Sequence, residues 1–183
     1  MTNPASRDTR KLVAAMAFAA ERHRGQRRKD AEASPHINHS VALAAVLADE
    51  GGIDDADVLC AARLHGIIED TDTTADEIAQ CFGNRITDIA LEASDDKSLA
   101  KDERKRRQIA HAPRLSHAAK LVKRTDKICN LCDILTMPLS DRPLQRRQAY
   151  FDWAAAVVDG LRGVHPELER IFDGPYVRKE AMA

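Results

Sequence analysis

Apolar residues recur along this chain at the three- and four-residue spacing of helices, and no strand-length alternation stands out. Residues 8–24 place Leu12, Val13, Met16, Ala19 and Ala20 on a helical pattern, and Gly25 is a natural stop. Residues 26–38 are polar and read as a loop or short hairpin with three consecutive cations, Arg27, Arg28 and Lys29. A second helix is predicted from His39 to about Glu50, packing through Val41, Leu43, Ala44 and Leu47 and ended by Gly51-Gly52. Asp54 is the expected N-cap of a third, with Asp55 and Asp57 favourable to the dipole in its first turn. That helix carries Val58, Leu59, Ala62 and Leu64, then turns abruptly polar at His65-Gly66-Ile67-Ile68-Glu69-Asp70. Thr74-x-x-Glu77 is a capping box for a short helix to Phe82. Gly83 closes it, and Asn84 is placed to cap another through about Ala93.

Ser94 to Lys97 reads as a turn, and residues 100–111 as a strongly charged helix ended by Pro113. Ser116 to Leu135 is a long helix with Leu121, Val122, Thr125, Ile128, Cys129 and Cys132 inward. Lys123, Asp126 and Asn130 form a polar stripe beside that apolar one. Pro138 and Pro143 bracket a loop, residues 143–162 form a helix with Pro143 at its start, and Pro166 opens a last helix to Phe172. The expectation is an all-α fold, a single domain of about eight to ten helices over residues 8–174, with 1–7 and 175–183 as tails.

A length of 183 residues supports one substantial core, and an aromatic content of 4% favours helices over a sheet. The net charge of −1 argues against nucleic acid or an anionic membrane as partner, so Lys105, Arg106 and Arg107 read as a solvated face. No apolar run approaches the ~20 residues needed to span a bilayer. The N-terminus lacks a signal-peptide pattern, which makes a cytoplasmic location the expectation. Cys129-x-x-Cys132 has the spacing of a redox or zinc motif, but it sits in an apolar helical pattern with no second pair, so buried free thiols are expected.

The chemistry gathers around the third helix. His65 and Glu69 are four apart and share a face, with Asp70 about 140° from His65 around the axis. His39, His65 and Asp126, from three separate elements, are the ligand types of a divalent ion such as Mn, Fe or Zn. Each also has an ordinary explanation: a structural histidine, or an Asp126 paired with Lys123 or Lys127.

His39, the run Leu64-His65-Gly66-Ile67-Ile68-Glu69-Asp70-Thr71, and Thr125-Asp126-Lys127-Ile128-Cys129-Asn130-Leu131 together resemble the HD-superfamily hydrolase module of the RelA/SpoT family. Gln26 to Asp30, Asp95-Asp96-Lys97, Glu103 to Arg106 and Tyr150 to Ala154 extend the resemblance over about residues 8–172, toward the small single-domain alarmone hydrolases of the metazoan SpoT-homologue type. The resemblance implies an all-helical fold that binds Mn2+ and removes the 3′-pyrophosphate of ppGpp, some members also acting as NADPH phosphatases. It assigns the metal to His39, His65 and Asp126, and catalysis to Glu69 and Asp70. It assigns the pyrophosphate to Arg28 and Lys29, and further substrate contacts to Lys101, Asn130, Arg146 and Tyr150.

One position departs from the family pattern. The aspartate that follows the histidine is Gly66 here, which leaves two neutral imidazoles and one carboxylate, Asp126, as ligands. Such a set should hold a hard dication less firmly. His36 stands where the family has a tyrosine and Cys129 where an aromatic is usual, and His36 is also a candidate substitute ligand. Two further functions stay open: a catalytically silent alarmone or nucleotide binder, and an NADPH phosphatase on the same fold.

Overall fold

In a computed structural model, which describes residues 4–30, 32–136 and 143–178, the chain folds as helices throughout. The described residues hold nine α-helices: α1 Pro4–Arg22, α2 Ile37–Ala45, α3 Ala56–Asp70, α4 Ala75–Phe82, α5 Asn84–Ala93, α6 Lys101–His111, α7 His117–Thr136, α8 Leu144–Asp159 and α9 Pro166–Val177. A π-turn, Val46–Glu50, prolongs α2, and a 3-10 turn, Ala112–Arg114, leads from α6 toward α7. The expected polar segment after α1 is a loop closed by a single antiparallel bridge between Arg27 and Pro35.

The helix ends follow side-chain chemistry, and several fall away from the expected positions. Asp55, not Asp54, caps α3: its Oδ1 accepts from the amides of Asp57 at 3.0 Å and Val58 at 3.4 Å. Thr74 caps α4 by accepting from Glu77 N at 3.2 Å, while the Glu77 carboxylate pairs with Arg22 instead of closing the box. Asn84 does not cap α5; it is the first helical residue, behind Gly83 at φ 87°, a conformation that side chains rarely adopt. α2 begins at Ile37, two residues before His39. α1 reaches back to Pro4 and α9 runs on to Val177, so helix extends into both segments read as tails. The loop expected around Pro138 lies outside the described residues.

Two helices form the middle of the molecule. α3 packs against α1, α2, α5 and α7, and its apolar residues are buried on nearly every face, from Val58 through Ile67. α7 packs against α2, α3, α5, α8 and α9 and buries eleven of its residues. Small side chains at Ala61 and Ala62 on α3, and at Ala90 and Ala93 on α5, are fully buried. At the far end, a Cβ on Gly160 would lie 2.8 Å from Ala112 Cβ and 2.9 Å from Pro113 Cδ, so only glycine lets the end of α8 touch the 3-10 turn.

Arg124 on α7 is fully buried. Its guanidinium donates to the carbonyls of Leu161 and His165 and to Glu169, tying α7 to the turn between α8 and α9. The neighbouring Lys123 and Lys127 point elsewhere. The buried polar groups of α7 therefore fix its rotation as well as its position.

Candidate active site

α2, α3 and α7 bring His39, His65 and Asp126 together. One ligand atom from each lies within 4.8 Å of the others. His39 Nε2 sits 3.1 Å from Asp126 Oδ1, and His65 Nε2 sits 4.0 Å from the same oxygen. His65 Nδ1 is 2.9 Å from the carbonyl of Ala62. A carbonyl can only accept, so Nδ1 carries the proton and Nε2 turns its lone pair toward Asp126. Burial pulls the His65 pKa down, outweighing the attraction of Asp126, and keeps the ring neutral as a ligand must be. His39 Nδ1 is buried without a hydrogen-bond partner, with Asp133 Oδ2 4.0 Å away.

Asp126 is the anionic partner. Burial pushes its carboxyl up, but Lys127, His39 and His65 overcome that and hold it well below the usual carboxylate range. Lys127 Nζ lies 2.9 Å from Asp126 Oδ2, and Asn130 Nδ2 donates to Oδ1 at 2.8 Å. Of the two lysines offered by the sequence, the pairing falls to Lys127. Two imidazoles and one carboxylate fit a divalent ion with open coordination positions. A Cβ on Gly66 would meet only Asp70 Oδ2, at 3.9 Å, so the space for a side chain at that position is open.

The second half of the site is built from acids at the end of α3. Glu69 Oε1 accepts from the backbone amide of Asp95 at 2.5 Å. Asp95 in turn binds Lys123 Nζ at 2.6 Å and the side-chain amide of Gln108. Lys123 is buried and also donates to Ala93 O at 2.8 Å. Burial, then the charge of Asp95, pushes the Glu69 carboxyl up to about 7, against the pull of Lys123 and Lys97. Asp70 forms an ion pair with Lys97 and lies 3.8 Å from His36 Nε2. Burial and the nearby His23 pull His36 down to about 4.

These groups line one cavity of about 610 Å³, with Arg28, Lys29, Asn130 and Tyr150 on its walls. Arg28 reaches across to Asp133 at 2.5 Å, so one of the expected phosphate ligands has an internal partner. Lys101 and Arg146 line an adjoining space of about 250 Å³ that shares Tyr150, Trp153, Asp95 and Gln108 with the first. Trp153 stands between them: Lys127 Nζ is 4.5 Å and Lys105 Nζ 5.0 Å from its ring centre. Every expected site residue thus lies on one of two connected spaces.

Sequence reasoning missed Asp95, Lys123, Gln108 and Trp153 as site residues. Lys123 was visible in the polar stripe of α7, whereas nothing in the spacing joined Asp95 to Glu69. Cys129 and Cys132 carry free thiols, and burial pushes both above the ordinary cysteine value, as befits packing residues.

An HD domain model matches residues 15–150. The guanosine-3′,5′-bis(diphosphate) 3′-pyrophosphohydrolase MESH1 of Homo sapiens is 49% identical over 158 residues, 86% of this chain and 88% of that protein. The MESH1 of Danio rerio is 48% identical over 158 residues, with the same coverage. A solved structure described as a metazoan ortholog of SpoT that hydrolyzes ppGpp superposes with a TM-score of 0.90 at 39% identity, covering 98% of both chains. A Listeria monocytogenes structure shares the fold at a TM-score of 0.61 and 22% identity. With a family model over most of its length and relatives at nearly half identity, this chain belongs to the HD-domain family, among the relatives of the MESH1 3′-pyrophosphohydrolases.

Proposed function

We propose that this protein hydrolyses the 3′-pyrophosphate of ppGpp to GDP and pyrophosphate, with manganese as its divalent metal and the cytoplasm as its location. The observation that carries this is the His39–His65–Asp126 cluster on the wall of a cavity that also holds Glu69 and two cations. In this reading His39, His65 and Asp126 hold the metal. A bound divalent ion would supply Lewis acidity toward a phosphoryl oxygen and acidify water.

The protein's own groups do the rest. Glu69, poised near neutrality, accepts a proton from the attacking water. The water oxygen bonds to the phosphorus carried by the 3′-oxygen, that phosphorus–oxygen bond breaks, and the departing 3′-oxygen is reprotonated from water at the open rim. Asp70, anchored by Lys97, orients the attacking water. Arg28 and Lys29 face the pyrophosphate, Arg28 exchanging Asp133 for it. Lys101, Arg146 and Tyr150 serve the nucleotide side. Asn130 acts through Asp126, to which it donates.

Gly66 favours a second reading, a nucleotide binder with little or no turnover, because the donor set has a single carboxylate. A ppGpp turnover assay with manganese, run beside the Gly66→Asp form, tests the proposal. Pyrophosphate release by the unsubstituted protein, faster in the Gly66→Asp form, is the expected result, and release by the Gly66→Asp form alone supports the second reading. Intact ppGpp in both overturns it, and binding without turnover in both establishes the second reading. Release of inorganic phosphate from NADPH, rather than pyrophosphate from ppGpp, would instead identify an NADPH phosphatase.

A further inference from the structure

The cationic run of α6 is not used up by the proposed reaction. Lys101, Arg104, Lys105 and Gln108 line the nucleotide-side space described above. Arg104, Arg107, Gln108 and His111, at i, i+3, i+4 and i+7, line a further cavity of about 390 Å³ that shares Arg104, Gln108 and Asp95 with that space. That size falls within the range of small-molecule sites. Leu91, Leu99 and Leu115 give it an apolar wall, and Arg114 adds a third guanidinium.

The charges of this cavity are unevenly satisfied. Glu92 accepts from the amide of Ser116 at 2.7 Å, and Asp96 accepts from the amide and hydroxyl of Ser98. Asp95 is taken by Lys123 and Gln108. Arg104 and Arg114 have no ion pair among the described residues, and Arg107 has only a 3.7 Å approach to Glu103. Amide and hydroxyl donors leave the charges of Glu92 and Asp96 in place, and Arg104 and Arg107 act on Asp96, but with Asp95 paired to Lys123 three guanidiniums face two carboxylates and the cavity keeps an excess of positive charge.

We infer that this cavity binds a small organic anion, with its anionic head on Arg104, Arg107 and Arg114 and its apolar body against Leu91, Leu99 and Leu115. The cavity shares a wall of Asp95, Gln108 and Lys123 with the active-site cavity. An occupant would press on the residue whose amide holds Glu69, which makes the cavity a place for regulation. The binding does not depend on the proposed reaction; its regulatory consequence rests on that reading.

Calorimetric titration with phenyl phosphate, with benzoate, and with inorganic phosphate tests it. One equivalent of phenyl phosphate or benzoate should bind, and the tighter of the two identifies the anionic head. Affinity should survive Arg28→Ala, which alters the active-site cavity. It should fall by at least about tenfold, or 1.4 kcal/mol, in Arg107→Glu/Arg114→Glu and in Leu91→Asp, all surface positions that leave the core intact. Binding lost in Arg28→Ala but kept in the other two variants would move the ligand to the active site and overturn the inference. No binding of either aromatic anion, or equal binding of inorganic phosphate, would overturn it as well.

Discussion

The two halves of the active site are finished to different degrees. On the acid side each group is tethered: Glu69 to the Asp95 amide, Asp95 to Lys123 and Gln108, Lys123 to Ala93. On the metal side the two imidazoles and Asp126 are in place, yet the space beside Gly66 is open and His39 Nδ1 lacks a partner. A proton-accepting group can be poised by burial and neighbours alone. A dication needs anionic donors in sufficient number, and here one carboxylate carries that task. In the proposed reading, the groups that would move a proton are held more completely than the groups that would hold a metal.

The largest effect separates the two halves. Glu69→Gln should lower kcat by about 10²- to 10⁴-fold while manganese binding, measured by calorimetry, stays as it was. An equal loss of metal would show that the halves are not independent. Turnover should also rise with pH through about 7, because Glu69 must be deprotonated to accept a proton. The same shift has the opposite effect on stability. Its pKa is higher in the fold than in the unfolded chain, so its contribution is present below about 4.5 and is lost as pH rises through about 7.

Next comes Gly66→Asp, which should tighten manganese binding by about 10- to 100-fold. Without metal the new carboxylate would face Asp70, so thermal stability should rise on adding manganese more than it does for the natural chain. Unchanged affinity would mean that the donor set is already sufficient. Lys123→Met takes away a charge that favours ionised Glu69, and the pH inflection should move upward by about one unit, about a fivefold loss of rate at neutrality. The smallest effect is Gly66→Ala. With no atom within 3.4 Å of its Cβ, it should stabilise the apo fold by about 0.5–1 kcal/mol by denaturant unfolding and leave metal affinity unchanged. The pair Gly66→Asp and Gly66→Ala separates the missing ligand from the missing side chain.

Much of this was legible in the sequence. The helices announce themselves through apolar periodicity, and the cluster residues through type and family resemblance. Cap positions are off by one residue where two acids stand together, as at Asp54 and Asp55, because only geometry decides whose oxygen reaches the second amide. Asp95 escaped for a different reason. It holds Glu69 through its backbone amide, and a main-chain donor leaves no signature in residue identity, while its charge acts on Glu69 only because the fold brings the two together. Lys127 rather than Lys123 pairs with Asp126 for the same kind of reason: both are within reach by spacing, and Asp95, contributed by the turn after α5, claims Lys123.

The buried guanidinium of Arg124 extends the active site to a distant part of the chain. Its acceptors are Leu161, His165 and Glu169, close to the C-terminal end, and it lies two residues before Asp126 on the same helix. Removing α9 would strip Arg124 of Glu169 and uncover the face of α7 against which α9 packs, so that the rotation of α7 is less firmly set. A version of this protein truncated before α9 would then loosen the helix that carries Asp126 without a single change near the cavity.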